Sequence, residues 1–147
     1  MKKSYRQGFY RPMFPEKYDG DPTGIVYRSS WEYKFMGWLD RSNACIRWSS
    51  EETIIPYRSP VDGKIHRYFV DFKITLRQSD GSTKTYLIEV KPYAQTLPPK
   101  NRKNKIALME AVATYQVNQA KWAAATEYCR QNGWEFKTIT EKELAIK

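Results

Sequence analysis

The topology of this protein is set by residues 65–91, IHRYFVDFKITLRQSDGSTKTYLIEVK, in which apolar and polar side chains alternate at both ends. The alternation predicts two β-strands, over residues 65–75 and 83–91. A three-residue loop with Gly81 in the left-handed conformation joins them into a hairpin whose paired residue numbers sum to 160. A two-residue turn at Asp80 and Gly81 is the alternative, and it gives a sum of 161.

The register of this hairpin determines which polar side chains meet. With a sum of 160, Asp71 lies opposite Glu89, and Lys91 follows about 7 Å further along the same face. With a sum of 161, Asp71 lies on the other face from both. In the first register Phe69 and Leu87 share the face of the carboxylates, and carboxylates buried beside apolar groups are costly unless a cation neutralises them.

Two carboxylates and a lysine on one face are typical of a site that cleaves phosphodiester bonds. Mg²⁺ binds proteins through one or two carboxylates together with substrate phosphates. It lowers the pKa of a bound water and neutralises charge in the transition state, and Lys91 is placed to orient that water or to stabilise the charge. The alternative is an ordinary cross-strand polar pair, with Lys91 as a salt-bridge partner worth about 0.2–1 kcal/mol.

A first helix is predicted over residues 30–40, because residues 29–32, SSWE, have the S-x-x-E form of a capping box. Glu32 falls within the apolar arc of this helix, an unusual position for a carboxylate. It is therefore a further ligand or water-holding group of the same site, a capping glutamate bonded to the Ser29 amide, or both.

The flanking segments complete one domain, which suits a chain of 147 residues. Residues 1–28 are interpreted as a basic N-terminal arm packed on the domain, and residues 29–147 as the domain that carries the acidic residues and Lys91. We predict an α/β fold with a mixed central β-sheet flanked by α-helices. The remaining predicted elements are short edge strands at 46–48 and 53–57, a loop at 92–105, a long helix to Asn132 with Gly133 as its stop, a strand at 134–139 and a helical turn from Thr140.

Charge and composition point to a nucleic-acid partner. There are 25 Lys and Arg against 16 Asp and Glu, a net charge of +9. Two cysteines far apart and one histidine exclude a disulfide framework and a zinc cluster, and both thiols are expected to be buried. No apolar run approaches the length of a membrane span, so a soluble, unexported protein is expected. The residues expected to contact phosphates, rather than only to solvate a loop, are Arg28, Lys100, Arg102, Lys103 and Lys105.

The order of these elements and acidic residues resembles the PD-(D/E)XK nuclease superfamily. Within it, YRSSWE at residues 27–32, the FVDF and LIEVKP segments of the hairpin, and the ending NQAKWAAATEYCRQNGWEFKTITEKEL are similar to the endonuclease subunit of heteromeric transposases. They are more similar to the head-completion nucleases of tailed phages. The resemblance covers residues from about 25 to 147. It departs from the motif at Val70, where the superfamily has a proline.

The resemblance implies a restriction-endonuclease-like fold and Mg²⁺-dependent cleavage of DNA, with Mn²⁺ as a substitute ion. It implies that Asp71 and Glu89 are metal ligands, joined by the carbonyl of Val90. Lys91 is then the catalytic lysine, and Glu32 is the acid on the first helix.

Lys121, on the long helix, corresponds by the same resemblance to an auxiliary active-site residue. The alternative is a lysine that extends its ammonium group to the surface. Cleavage is expected to proceed by direct attack of water, without a covalent enzyme intermediate, because no nucleophile–base pair is evident.

Three functions are compatible with these residues. The first is an endonuclease that acts on DNA ends or branched DNA during phage head completion after packaging, in the host cytoplasm or the virion, with head or portal proteins as partners. The second is a DNA-binding structural protein of the head that has kept the nuclease fold. The third is a transposase-type subunit, which needs a partner recombinase for cleavage.

Overall fold

The computed structural model describes residues 7–144, which form two long helices and eight strands. Two short 3₁₀ turns lie at Pro15–Lys17 and Tyr93–Thr96. The helices are α1 (Ser30–Arg41) and α2 (Lys105–Asn132). The strands are β1 (Gly8–Phe9), β2 (Val26–Tyr27), β3 (Cys45–Ser50), β4 (Ile54–Arg58), β5 (Ile65–Phe69), β6 (Phe72–Arg77), β7 (Thr83–Val90) and β8 (Glu135–Ile139).

The central sheet has four strands in the order β3-β6-β7-β8. Neighbouring strands are antiparallel except for β7 and β8, which are parallel. A parallel pair needs a long crossover connection, and α2 provides it. Strands β1 and β2 form one separate antiparallel pair, and β4 and β5 form another. The predicted single α/β domain with a mixed sheet flanked by helices is confirmed.

The β6–β7 hairpin has the predicted register. Phe72 pairs with Ile88, so the residue numbers sum to 160. The loop is closed by a hydrogen bond of 2.7 Å from the amide of Gln78 to the carbonyl of Ser82. Gly81 has a φ of 87°, the left-handed conformation that this loop requires.

The single strand predicted over residues 65–75 is wrong, because the chain breaks at Val70 and Asp71 into β5 and β6. The amide of Val70 donates to the carbonyl of Thr53 at 3.0 Å, and the carbonyl of Asp71 accepts from the amide of Glu51 at 3.0 Å. These bonds hold the break against the segment between β3 and β4. As a result β5 leaves the central sheet and pairs with β4 alone.

This break divides one predicted apolar face between two cores. Tyr68 and Val70 pack against α2, whereas Phe72 and Ile74 pack on the side of α1. The core on the α1 side also contains Tyr10, Tyr18, Ile25, Trp31, Phe35, Met36, Leu39, Cys45, Trp48, Ile88, Val90 and Leu144. The core on the α2 side also contains Ile55, Tyr57, Leu87, Trp122, Ala125 and Cys129.

Residues 7–28 are anchored to the C-terminal end of α1. The buried carboxylate of Asp40 accepts a hydrogen bond from the Tyr10 hydroxyl at 2.8 Å and two more from backbone amides of the segment. Lys17 donates to three carbonyls at the same helix end, at 2.8 Å each. This segment therefore contributes to the core on the α1 side. Residues 1–6 of the predicted arm lie outside the described residues.

The capping residues fix the helix ends as predicted. The Ser29 side chain accepts from the amide of Glu32, and α1 ends one residue later than predicted. Gly133, with a φ of 72°, ends α2 in the left-handed conformation. The amide of Thr140 donates to the side chain of Glu143 at 2.7 Å, as in a capping box. Within residues 7–144, no helix is both long enough and apolar enough to cross a membrane.

Both cysteines are buried, and we expect neither to react with a thiol reagent in the folded protein. Burial raises the pKa of Cys45 to about 11 and also raises the pKa of Cys129. A pKa above its ordinary value means that the thiol stays protonated at pH 8, and the thiol is far less reactive than the thiolate. Titration with a chromogenic disulfide at pH 8 should show no fast reaction before denaturant is added and two reactive thiols afterwards. A fast-reacting thiol in the native protein would contradict the burial.

Candidate active site

Asp71 and Glu89 lie at the same edge of the β6–β7 hairpin. Asp71 directly precedes Phe72, and Glu89 directly follows Ile88, so the Phe72–Ile88 pair brings the two acidic residues opposite each other. Oδ2 of Asp71 accepts a hydrogen bond from the amide of Val90 at 2.8 Å. The carboxylate of Asp71 therefore reaches across to the backbone that carries Glu89.

Lys91 points to the same side as Glu89, as the alternation in β7 predicts. Its Nζ lies 3.2 Å from Oε2 of Glu89, and the two side chains are 22% and 9% exposed. The amide of Lys91 donates to the carbonyl of Ile139 in β8 at 2.9 Å. The parallel strand thus fixes the backbone of Lys91, and the pair lies in a partly buried setting where charges interact more strongly than in water.

Tyr68 is a site residue that the alternation pattern did not reveal. Its hydroxyl donates to Oε1 of Glu89 at 2.6 Å, and the side chain is buried. Burial raises the pKa of Tyr68, and the negative charges of Glu89 and Asp71 act in the same direction. The indole of Trp122 acts to lower the pKa of Tyr68. The indole N–H makes no hydrogen bond within the described residues, so this effect is the weaker one. The phenol therefore stays protonated and remains a donor to the carboxylate.

The prediction that Phe69 shares the face of the carboxylates is wrong. Phe69 is 42% exposed on the outer side of the β4–β5 pair. The break at Val70 and Asp71 changes which side of the chain faces the site, so the neighbouring Tyr68 takes that place. Leu87 is fully buried, and it packs in the same core as Tyr68.

Lys121, in the middle of α2, lies beside this tyrosine. Its Nζ is 5.6 Å from the centre of the Tyr68 ring and 5.8 Å from that of Tyr57. Both distances are within the range in which a cation is attracted to an aromatic ring. Tyr68 therefore contacts both Lys121 and Glu89, which places Lys121 next to the site.

Glu32 is buried at the first turn of α1 and takes part in its capping. Its amide donates to Oγ of Ser29 at 3.2 Å, and its Oε1 accepts from the amide of Arg28 at 3.2 Å. The bond back from the glutamate was predicted to reach the Ser29 amide. It reaches the preceding residue instead, so Glu32 does have a capping function, in a modified form of the capping box.

The first turns of α1 pack against the hairpin. Phe35 follows Glu32 by one turn, and its ring contacts that of Phe72 edge-on, with the ring centres 5.0 Å apart. Phe72 is the residue directly after Asp71. The same core contact therefore sets the position of the helical acid relative to the strand acid.

Glu51 is a second residue that the sequence analysis missed. It is a non-glycine residue with a φ of 56°, in the left-handed region that L-residues rarely adopt. In this conformation its amide donates to the Asp71 carbonyl, and its Oε2 lies 2.9 Å from Nε of Arg28. The strained turn therefore holds the backbone of Asp71 and brings Arg28 close to the acidic residues. The sequence gives no sign of such a turn, because Glu51 lies far from Asp71 along the chain.

The basic residues predicted to contact DNA occupy two places. Arg28 lies at the start of α1, where it pairs with Glu51. The other four are exposed in the segment that leads from the site into the first turn of α2. These four are Lys100, Arg102, Lys103 and Lys105.

The chemistry of the donor set fits a hard divalent ion. Asp71 and Glu89 supply carboxylate oxygens, and Val90, whose amide binds Asp71, directly follows Glu89 in β7. Among residues 7–144, no three His, Cys, Asp or Glu side chains are grouped closely enough to hold a metal by themselves. Mg²⁺ needs no such group, because it retains several waters and is bound by one or two carboxylates together with substrate phosphate.

We expect Tyr68→Phe to weaken binding of Mn²⁺ about tenfold, because loss of a hydrogen bond that orients a metal ligand typically costs 10–100-fold in affinity. Titration of Mn²⁺ followed by electron paramagnetic resonance measures this without DNA. The matched control is Tyr57→Phe, since Tyr57 lies in the same core and its hydroxyl makes no hydrogen bond to a described residue. Equal affinities in the wild type and Tyr68→Phe, or an equal loss in the control, would contradict this role for Tyr68.

Two comparisons with known proteins bear on this arrangement. Residues 42–141 match the family described as TnsA-like endonuclease N terminal, a range that includes Asp71, Glu89, Lys91 and Lys121 but begins after Glu32. Over 142 residues the chain is 37% identical to the head completion nuclease of Enterobacteria phage T4, a match that covers 93% of this chain and 92% of that protein. This chain therefore belongs to the TnsA-like endonuclease family, which is of the PD-(D/E)XK type.

Proposed function

We propose that the protein is a Mg²⁺-dependent DNA endonuclease with Asp71, Glu89 and Lys91 at its active site. Nuclease activity on DNA and the use of a divalent ion follow from membership of the family. The choice of Mg²⁺ and the roles of individual residues are inferred here. The observation that carries the proposal is the cluster itself, in which a 2.8 Å bond from Val90 holds Asp71 and a 3.2 Å contact joins Glu89 to Lys91.

In this mechanism Asp71, Glu89 and the Val90 carbonyl would hold the ion. When bound, Mg²⁺ supplies a water of lowered pKa and neutralises charge on the phosphate. Tyr68 and Lys91 each contact one oxygen of Glu89, so they fix the orientation of that carboxylate.

Lys91 also places a positive charge where negative charge develops on the phosphate. Water attacks phosphorus, one ester bond breaks, and the leaving oxygen takes up a proton. The ammonium group stabilises the charged transition state, an effect that is large in a partly buried site. Lys121, beside the Tyr68 ring, adds a second positive charge to the same region.

A one-step hydrolysis is favoured over a covalent intermediate by the state of the nucleophilic groups among residues 7–144. Tyr68 is buried, and its raised pKa keeps it protonated. Cys45 and Cys129 are buried in the two cores. His66 is paired with Asp62 at 2.8 Å on the exposed β4–β5 hairpin. Isolation of a stable protein–DNA adduct would contradict this mechanism.

We further propose that the protein acts on DNA ends or branched DNA during completion of a phage head, in the host cytoplasm or the virion. Support comes from the relative in Enterobacteria phage T4, which is named a head completion nuclease and matches over nearly the full length of both chains. Head or portal proteins are then its proposed partners.

The test is incubation of the purified protein with linear, nicked, branched and flapped DNA in Mg²⁺, in Mn²⁺ and in EDTA, followed by gel analysis. We expect products with either ion and none in EDTA, with ends or branched DNA cut fastest. Binding without cleavage under all conditions would favour the DNA-binding structural function instead. Cleavage that appears only after a partner recombinase is added would favour the transposase-type subunit.

A further inference from the structure

A groove of about 460 Å³ lies between the segment that follows Lys91 and the first half of α2. One wall is formed by residues 94–102, a segment that begins shortly after Lys91. The other wall is the first half of α2. This half ends at Asn118, one turn before Lys121. Along the chain, one wall therefore begins close to Lys91 and the other ends close to Lys121, both proposed active-site lysines. The first wall ends at Arg102.

Asn118 is a buried polar residue that faces this groove. It is only 8% exposed and lines the groove wall. Its side-chain amide makes no hydrogen bond to any of residues 7–144. An asparagine amide offers two donor hydrogens and an acceptor oxygen to a ligand with polar edges in the groove.

The other groove residues suit a nucleotide. Tyr115, which is half-buried, presents an aromatic ring, and Leu97 adds apolar surface. Arg102 supplies a guanidinium group, which binds phosphate through paired hydrogen bonds. Glu110 also lines the groove, but its charge is outweighed by Arg102 and the three lysines that flank it in the chain. A cation for phosphate, an aromatic ring for stacking and an amide for base edges are the features of single-strand binding sites.

The size of the groove suits unpaired nucleotides. Its volume falls within the range of about 300–1,000 Å³ that is typical of small-ligand pockets. A B-form duplex is much larger than such a pocket, since its major groove alone is about 12 Å across and admits a whole helix. Unpaired nucleotides can therefore enter this space, whereas a duplex would lie across its opening.

We propose that this groove binds unpaired nucleotides of a single-stranded extension next to the bond that is cut. The substrate class is then DNA with a single-stranded end or flap, in preference to a blunt duplex. This inference rests on the proposed nuclease function and adds the part of the DNA that the enzyme recognises.

The test is fluorescence anisotropy in EDTA, which measures binding without cleavage. One probe is a duplex with a single-stranded overhang, and the other is the same duplex with a blunt end. We expect the wild type to bind the overhang about tenfold more tightly, and Tyr115→Ala or Asn118→Ala to remove most of that difference, because stacking of one base is worth roughly 5- to 150-fold in affinity. Both substitutions replace neutral residues and leave the basic residues that contact phosphate unchanged. Affinity for the blunt duplex should therefore change by less than about twofold.

Gln119→Ala is the matched control, because Gln119 is exposed on the same helix and does not line the groove. Circular dichroism checks the fold of each variant, and Tyr115→Ala tests the groove if Asn118→Ala does not fold. Equal binding of both probes by the wild type, or an equal loss on both probes in the variants, would overturn the inference. A preference for the overhang without any metal-dependent cleavage would support the groove and refute the nuclease function, so the two can fail separately.

Discussion

Asp71→Asn is expected to lower the rate of DNA cleavage by about a thousandfold or more. The substitution removes one of two carboxylates proposed to hold the ion, and loss of about 4 kcal/mol of transition-state stabilisation corresponds to that factor. Asparagine keeps the size of the side chain, and its oxygen can still accept the hydrogen bond from Val90. The fold should therefore be retained, so the loss should be one of chemistry.

The measurement is single-turnover cleavage of a flapped duplex at saturating enzyme, with Mn²⁺ affinity measured in parallel. Asp80→Asn is the matched control, because Asp80 is an exposed aspartate in the turn of the same hairpin. Affinity for Mn²⁺ should fall in Asp71→Asn and remain in Asp80→Asn. A variant at Asp71 that cleaves at the wild-type rate would show that this carboxylate does not hold the ion.

Phe72→Ala is expected to lower the free energy of unfolding by about 3–5 kcal/mol, the usual cost of removing a fully buried aromatic ring. Phe72 has no exposed surface, and its ring packs edge-on against Phe35 of α1. A domain of this kind has about 5–15 kcal/mol of stability in total, so the loss is a large fraction of it.

Phe69→Ala provides the matched control for this substitution. Phe69 lies three residues earlier and is 42% exposed, so its removal should cost less than about 1 kcal/mol. Urea unfolding followed by tryptophan fluorescence compares the two variants with the wild type. Equal losses of stability at the two positions would contradict the division of this segment into an inner and an outer side.

The local parts of this structure could be predicted from sequence. The β6–β7 register follows from the spacing of Gly81 between two alternating segments, and the end of α2 follows from Gly133. These features depend on residues close together in the chain. The meeting of Asp71 with Glu89 follows from the register, because paired residues in a hairpin face each other.

The missed features depend on contacts between distant segments. Residues 65–75 alternate without interruption, yet one hydrogen bond donated to the carbonyl of Thr53 and another donated by the amide of Glu51 hold a break in the strand. The periodicity within residues 65–75 cannot predict these bonds, because their partners lie outside this segment. The break in turn brings Tyr68 to Glu89, so the position of this tyrosine could not be predicted either.

The most direct test of the account is a comparison of wild type with Lys91→Ala in single-turnover cleavage of flapped DNA, with and without Mg²⁺. Lys91 is not a proposed metal ligand but contacts the ligand Glu89, so cleavage is measured at saturating Mg²⁺ and Mn²⁺ affinity in parallel, which separates the catalytic role from metal binding. The account predicts Mg²⁺-dependent products from the wild type and a fall of about a hundredfold or more in Lys91→Ala, with DNA binding retained. Cleavage by Lys91→Ala at the wild-type rate would contradict the assignment of this cluster as the active site.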